Sequence, residues 1–162
     1  MTGTVLVVTA RIRKELKNLD MLRKEIVEML ERGGAENDSE RKRAFSSLLH
    51  DFYTCVERMF QTVAKGLDEY VPDGDNWHKL LLEQMTLSLE ERRPAVISEK
   101  LGAKLMEYLA FRHLVRNIYG FQLEWAKMDY LAKDLPEVVD WIRDEADSFV
   151  KIIEDITKGQ IN

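Results

Sequence analysis

Met106-Glu107-Tyr108-Leu109-Ala110-Phe111-Arg112-His113-Leu114-Val115-Arg116-Asn117-Ile118-Tyr119-Gly120-Phe121-Gln122-Leu123 is the stretch from which the rest of the chain is best read. Its apolar residues recur at helical spacing, and Gly120 supplies a stop. No carboxylate follows Glu107 within it, whereas a soluble helix usually mixes both signs of charge on its open face. Arg112, His113, Arg116, Asn117 and Tyr119 crowd its last turns instead. One face is therefore expected to be buried by the remaining helices, and the other to meet an anionic partner.

Working back from it, Leu6, Ile12, Leu16, Leu19, Leu22, Ile26, Met29 and Leu30 describe one long amphipathic helix from about Thr4 to Arg32. Gly33-Gly34 ends it. Asn37 and Glu40 have the spacing of a capping box, opening a second helix that runs to about Tyr70. Its buried stripe is Phe45, Leu48, Leu49, Phe52, Val56, Met59, Phe60 and Val63. Val71-Pro72-Asp73-Gly74-Asp75 is a turn by composition, and Asp75 is placed to cap a short third helix with Trp77, Leu80, Leu81 and Met85. Ser88 to Pro94 is a charged break, because Arg92-Arg93-Pro94 cannot continue a helix cleanly.

Ser98 is placed to cap the fourth helix, Glu99 to Tyr119. After Gly120 a short fifth segment carries Leu123, Trp125, Met128 and Leu131. Asp134-Leu135-Pro136-Glu137 then starts the last helix, with proline in the first turn where its missing N–H does no harm. No segment alternates like a strand. The expected fold is all-α: a single domain over 1–162, an up-down bundle of four main helices plus two short ones.

Apolar residues make up 45% and charged residues 33% of 162 residues, enough for one domain with a core. The single Cys55 can form no internal disulfide, which fits a reducing cytoplasm. No apolar run reaches membrane-spanning length, and Val5-Leu6-Val7-Val8 is too short for a signal segment, so a cytoplasmic location is expected. Net charge is −5, so nucleic acid would have to be met by a local basic patch.

No Glu is followed three residues later by His, the three histidines lie far apart, and phosphate-binding glycine patterns are absent. Neither a metal nor a cofactor is expected. His50 beside Asp51, and His78 in Asn76-Trp77-His78, read as packed or capping histidines. Tyr53 and Glu57 are one turn apart, so Glu57 is placed either to anchor an arginine of a neighbouring helix or to form a plain ion pair. Arg112, Arg116 and Tyr119 share one face at i, i+4, i+7, with His113 and Asn117 on the adjoining face. Two arginines offer a permanently charged phosphate clamp, and His113 is the group there that titrates near neutrality. Together they are a minimal kit for metal-free RNA cleavage, although arginines on helices more often pair with carboxylates.

Phe111-Arg112-His113-Leu114-Val115-Arg116-Asn117-Ile118-Tyr119-Gly120-Phe121 resembles the signature of the HepT-like branch of the HEPN superfamily. The resemblance extends to Asp51-Phe52-Tyr53 through Glu57-Arg58, to Trp77-His78-Lys79-Leu80-Leu81 with Gln84-Met85, and to Arg93-Pro94-Ala95-Val96. It implies a helical bundle that dimerises across its signature helices, and a metal-independent ribonuclease toxin. It also implies a minimal nucleotidyltransferase partner that silences the toxin by adding AMP to the signature tyrosine. By position, the family's Arg-x(4–6)-His motif starts at Arg112, its polar second position is His113, and the modifiable tyrosine is Tyr119. The catalytic histidine would fall at 117, where this chain has Asn117. Asparagine cannot exchange a proton near neutral pH. Residues 112 and 117 also stand about 140° apart on an ideal helix, from about 100° per residue.

Two functional readings follow, beside a plain helical domain of unrelated role. In the first, the chain is a ribonuclease toxin in which Arg112 and Arg116 hold phosphate and His113 replaces the missing histidine. In the second, it is a weakened homodimer that keeps the fold and the nucleotidyltransferase partner.

Overall fold

The computed structural model describes residues 2–159, and five α-helices dominate it: α1 (Thr2–Arg32), α2 (Ser39–Val63), α3 (Trp77–Met85), α4 (Glu99–Arg116) and α5 (Trp125–Gly159). A π-helical turn, Ala64–Asp68, extends α2, and a 3-10 turn, Gly120–Gln122, joins α4 to α5. Among the described residues there is no strand; a lone bridge pairs Leu89 with Arg93.

Side-chain pairs fix the directions of the helices. Cys55 Sγ meets the Glu15 carbonyl, while Arg41 donates to the Met29 carbonyl, so α1 and α2 run antiparallel. Arg13 pairs with Glu154 and Arg23 with Asp140, which sets α5 against α1 in the same sense. Ser98 with Glu145, Lys104 with Asp134, and the Tyr108 hydroxyl on the Leu131 carbonyl do so for α4 and α5. The result is an up-down bundle of α1, α2, α4 and α5, with α3 leaning on α2 and α4. One continuous core joins Ile12, Leu19 and Ile26 to Phe52, Val56 and Met59, and on to Leu105, Leu131 and Ile142.

Several boundaries differ from those read in the sequence. Asp38, not Asn37, caps α2: its Oδ1 accepts from the Arg41 amide at 3.1 Å, so the box between Asn37 and Glu40 does not form. Asn76 rather than Asp75 stands before α3, and it makes no side-chain cap bond. Ser98 does cap α4, accepting from the Leu101 amide at 3.1 Å. The expected short fifth segment and last helix are one helix of 35 residues with Pro136 inside it. A proline in a helix interior costs roughly 3 kcal/mol relative to alanine. Leu131, Ala132, Leu135, Val138 and Val139 are all buried across it, so the packing of an unbroken apolar stripe offsets that cost.

The α-helical part of α2 stops at Val63, seven residues short of the expected end, because the chain widens into the π turn. Gly66 is needed there, since a Cβ on it would run into Val8 Cγ2. The turn is held from the Ser88–Pro94 break. Arg93 is buried, its Nε and Nη2 gripping the two Asp68 carboxylate oxygens at 2.5 and 2.8 Å. The remaining donors reach the carbonyls of Leu87, Pro94 and Gln84, so all five guanidinium hydrogens are used. The expected charged break is there, with Glu90, Glu91 and Arg92 exposed, but its Arg93 is a buried pin.

Candidate functional site

α2, α3 and α4 converge on one charged cluster. Glu57 is a buried carboxylate one turn beyond Tyr53, on the stripe of α2 that faces α4. His78 enters from the first turn of α3, its ring stacked on Trp77 at 3.7 Å between centroids. Arg112 reaches in from α4, with its side chain only 12% exposed.

His78 Nδ1 lies 2.5 Å from Glu57 Oε2 and 3.0 Å from Arg112 Nη1. One ring nitrogen cannot donate and accept at once. The shorter contact is to the carboxylate, so Nδ1–H donates to Glu57, and the arginine is held by Glu57 Oε1 at 3.6 Å. Arg112 Nε is buried with no hydrogen-bond partner. Burial pushes the Tyr53 hydroxyl pKa well up, and Glu57 pushes it the same way against Arg112. Tyr53 therefore stays a neutral phenol behind the carboxylate.

His113 stands on the solvent side, its ring edge-on to His78 at 5.7 Å between centroids. Its pKa is lowered from the usual imidazole value, first by partial desolvation and then by His78, Arg112 and Arg116, with Glu57 opposing. The result is an exposed imidazole biased towards its neutral, proton-accepting form. Among the described residues no three His, Cys, Asp or Glu side chains gather to hold a metal ion.

α4 ends earlier than its sequence suggests. Asn117 is the C-cap: its amide donates to the His113 carbonyl at 2.8 Å, and its backbone N–H to that of Leu114 at 3.1 Å. The side chain at 117 thus closes its own helix rather than facing Arg112. Arg116 is exposed in the last turn. Tyr119 lies past the helix, so it does not continue the Arg112–Arg116 face. Its N–H donates to Gln122 Oε1 at 2.8 Å, and its ring is 71% exposed. Of the residues singled out in the sequence, Tyr53, Glu57, Arg112 and His113 come together. Arg116, Asn117 and Tyr119 line the open rim beside them.

His78, read as a packed or capping histidine, is indeed packed, buried against Trp77, and it also sits at the centre of the cluster. Its partner Glu57 is 21 residues away on another helix, a separation that no local pattern marks.

The all-helical bundle fits a HEPN-type family assignment. Residues 44–153 match the family model for HepT-like proteins, and the chain belongs to that HepT-like, toxin-like family. The match runs from α2 to α5, covers every residue of the cluster and leaves α1 outside it. No curated protein and no solved structure matches the chain. No described helix is long and apolar enough to cross a membrane.

Proposed function

We propose that this chain is the toxin of a HepT-like toxin–antitoxin pair and cleaves RNA without a metal ion. The observation that supports it best is His113, an exposed imidazole biased to its neutral form between Arg112 and Arg116. In the reaction His113 takes the proton of a ribose 2′-OH. The freed oxygen attacks the adjacent phosphorus, forming the P–O2′ bond as the P–O5′ bond breaks. The departing O5′ takes a proton from water, and His113 returns its own to solvent. The products are a 2′,3′-cyclic phosphate and a 5′-hydroxyl. Arg116 stabilises the negative charge of the pentavalent phosphorus, while Arg112, fixed by Glu57, adds positive potential from beneath. A homodimer pairing two α4 ends would double this basic surface.

The test is cleavage of a mixed RNA by purified protein in excess EDTA. Wild type is expected to give cyclic-phosphate ends, and His113→Ala and Arg116→Ala to lose most of the rate. Activity that survives both substitutions overturns the proposal.

A second reading rests on a different observation. The Asn117 amide is committed to the His113 carbonyl, and the Tyr119 ring is open to solvent. Under this reading the chain is a weakened homodimer and the binding partner of a minimal nucleotidyltransferase, which adds AMP to Tyr119. Co-expression with such an enzyme followed by intact-mass measurement tests it. A gain in AMP units that vanishes in Tyr119→Phe supports it, and an unmodified chain removes it.

A further inference from the structure

We infer that Tyr119 and Phe121 form a stacking platform for an unpaired nucleobase, with Arg43 and Arg116 receiving the flanking phosphates. This inference rests on the proposal that the site acts on RNA, and it names the feature of RNA that is recognised.

The two rings are nearly parallel, 9° between planes, with centroids 5.4 Å apart. They are 71% and 73% exposed, so each keeps an open face. The 3-10 turn anchors Tyr119: the Gln122 backbone N–H donates to the Tyr119 carbonyl at 2.9 Å, and Gln122 Oε1 accepts from the Tyr119 N–H. Apart from their contact with each other, these two large aromatics are left mostly open to water, and that exposure carries a hydration cost. A nucleobase has a π-face of matching shape, and stacking on such rings tolerates any sequence.

Charge selects the occupant. Arg116 is in the last turn of α4, three residues before Tyr119. Arg43, on α2, lies against Gly120, the residue between the two aromatics. Its guanidinium lies against the bare Gly120 backbone, in the space where a Cβ would stand. Neither arginine pairs with a carboxylate among the described residues, in a chain of net charge −5 where other arginines do. Two free cations beside two parallel rings suit a single strand, with phosphate on the arginines and base on the rings. A base paired inside a duplex cannot present its face, so duplex RNA is excluded from this subsite.

The experiment uses fluorescence anisotropy with a single-stranded 2′-O-methyl oligonucleotide, which binds but cannot be cut. A second oligonucleotide has the same backbone with abasic residues. Phe121→Ala is expected to weaken the intact strand about tenfold or more and to leave the abasic strand unchanged. Arg43→Ala is expected to weaken both and to reduce the salt dependence by about one phosphate contact. Phe121 is mostly solvent-exposed, and circular dichroism checks that its variant is folded. Equal affinity of wild type and Phe121→Ala for the intact strand overturns the platform, as does equal affinity of wild type for both strands. If RNA cleavage persists in that case, the proposed function stands without it. If wild type binds neither strand, the platform falls, and the persistence or absence of cleavage decides the function separately. Unchanged RNA affinity together with loss of a dimer in sedimentation assigns the aromatic pair to a second copy of this chain instead.

Discussion

Glu57 Oε2 lies 2.5 Å from His78 Nδ1, and its other oxygen is 3.6 Å from Arg112 Nη1, so one buried carboxylate ties α2 to both α3 and α4. Removing it leaves a histidine and an arginine that have lost their shared acceptor. Breaking a buried ion pair from one side costs about 3–5 kcal/mol. Glu57→Ala is therefore expected to lower the urea midpoint sharply. Arg112→Ala is expected to cost less, because Glu57 keeps His78. His78→Asn retains a donor where Nδ1–H stood and should be better tolerated than His78→Ala. Equal, small losses across the four variants would show that the cluster does not hold the helices together.

The neutral bias of His113 has a definite pH signature. Its pKa in the folded chain lies below the usual value of about 6.5, so the folded state binds a proton less readily than the unfolded one. The associated stability is present above about pH 6.5 and is lost as pH falls through the folded pKa. Catalysis through a neutral His113 should follow the same limb, rising with pH with its midpoint below about pH 6.5. Arg116→Ala removes one of the lowering charges and should move the midpoint upward. An imidazole proton titration of wild type and this variant by nuclear magnetic resonance reads both midpoints. An unshifted midpoint in the variant would remove Arg116 from the electrostatics of the site.

Position 117 can be tested by restoring a titratable group. Asn117→His gives up the amide bond to the His113 carbonyl, at a stability loss of about 1 kcal/mol. It adds a second proton-transfer group beside His113, and such groups contribute about 10²–10⁴-fold to rate. Cleavage in EDTA is expected to rise by about 100-fold at the lower end of that range. An unchanged rate would mean that the bundle does not bring residue 117 to the phosphate.

The helices were largely legible because their buried stripes repeat locally. Phe45 through Val63 and Val138 through Ile153 show the period of a packed face without reference to any other segment. Where two local signals competed, the reading slipped. Asn37 and Asp38 are both good caps, and the choice depends on which oxygen reaches the Arg41 amide. Pro136 is a good helix start, and only the packing on either side of it keeps α5 continuous. The charged groups were legible in part. Arg112, His113 and Glu57 could be singled out by residue type. His78 and Arg93 fell within the stretches that carry the resemblance, but their pairing with Glu57 and Asp68 could not be read, since those partners are 21 and 25 residues away and carry no periodic mark.

That last pair leads to the strongest stability expectation. The side chains of Arg93 and Asp68 are 0% and 1% exposed, and Gln84 Nε2 adds a bond to Asp68 at 2.6 Å. Arg93→Ala would strand the Asp68 carboxylate and three carbonyls beneath the π turn. The expected loss is about 3–5 kcal/mol, as for other buried pairs broken from one side. Lysine is not a substitute: its ammonium has three donors on a flexible stem, against five in a planar fork, so Arg93→Lys should recover little. Replacing both residues together, Asp68→Leu with Arg93→Met, removes the stranded charge and should be milder than Arg93→Ala alone. Denaturant unfolding of the single and double variants measures this directly. A double variant as unstable as the sum of its singles would mean that the two groups act independently and that the π turn is held by other contacts.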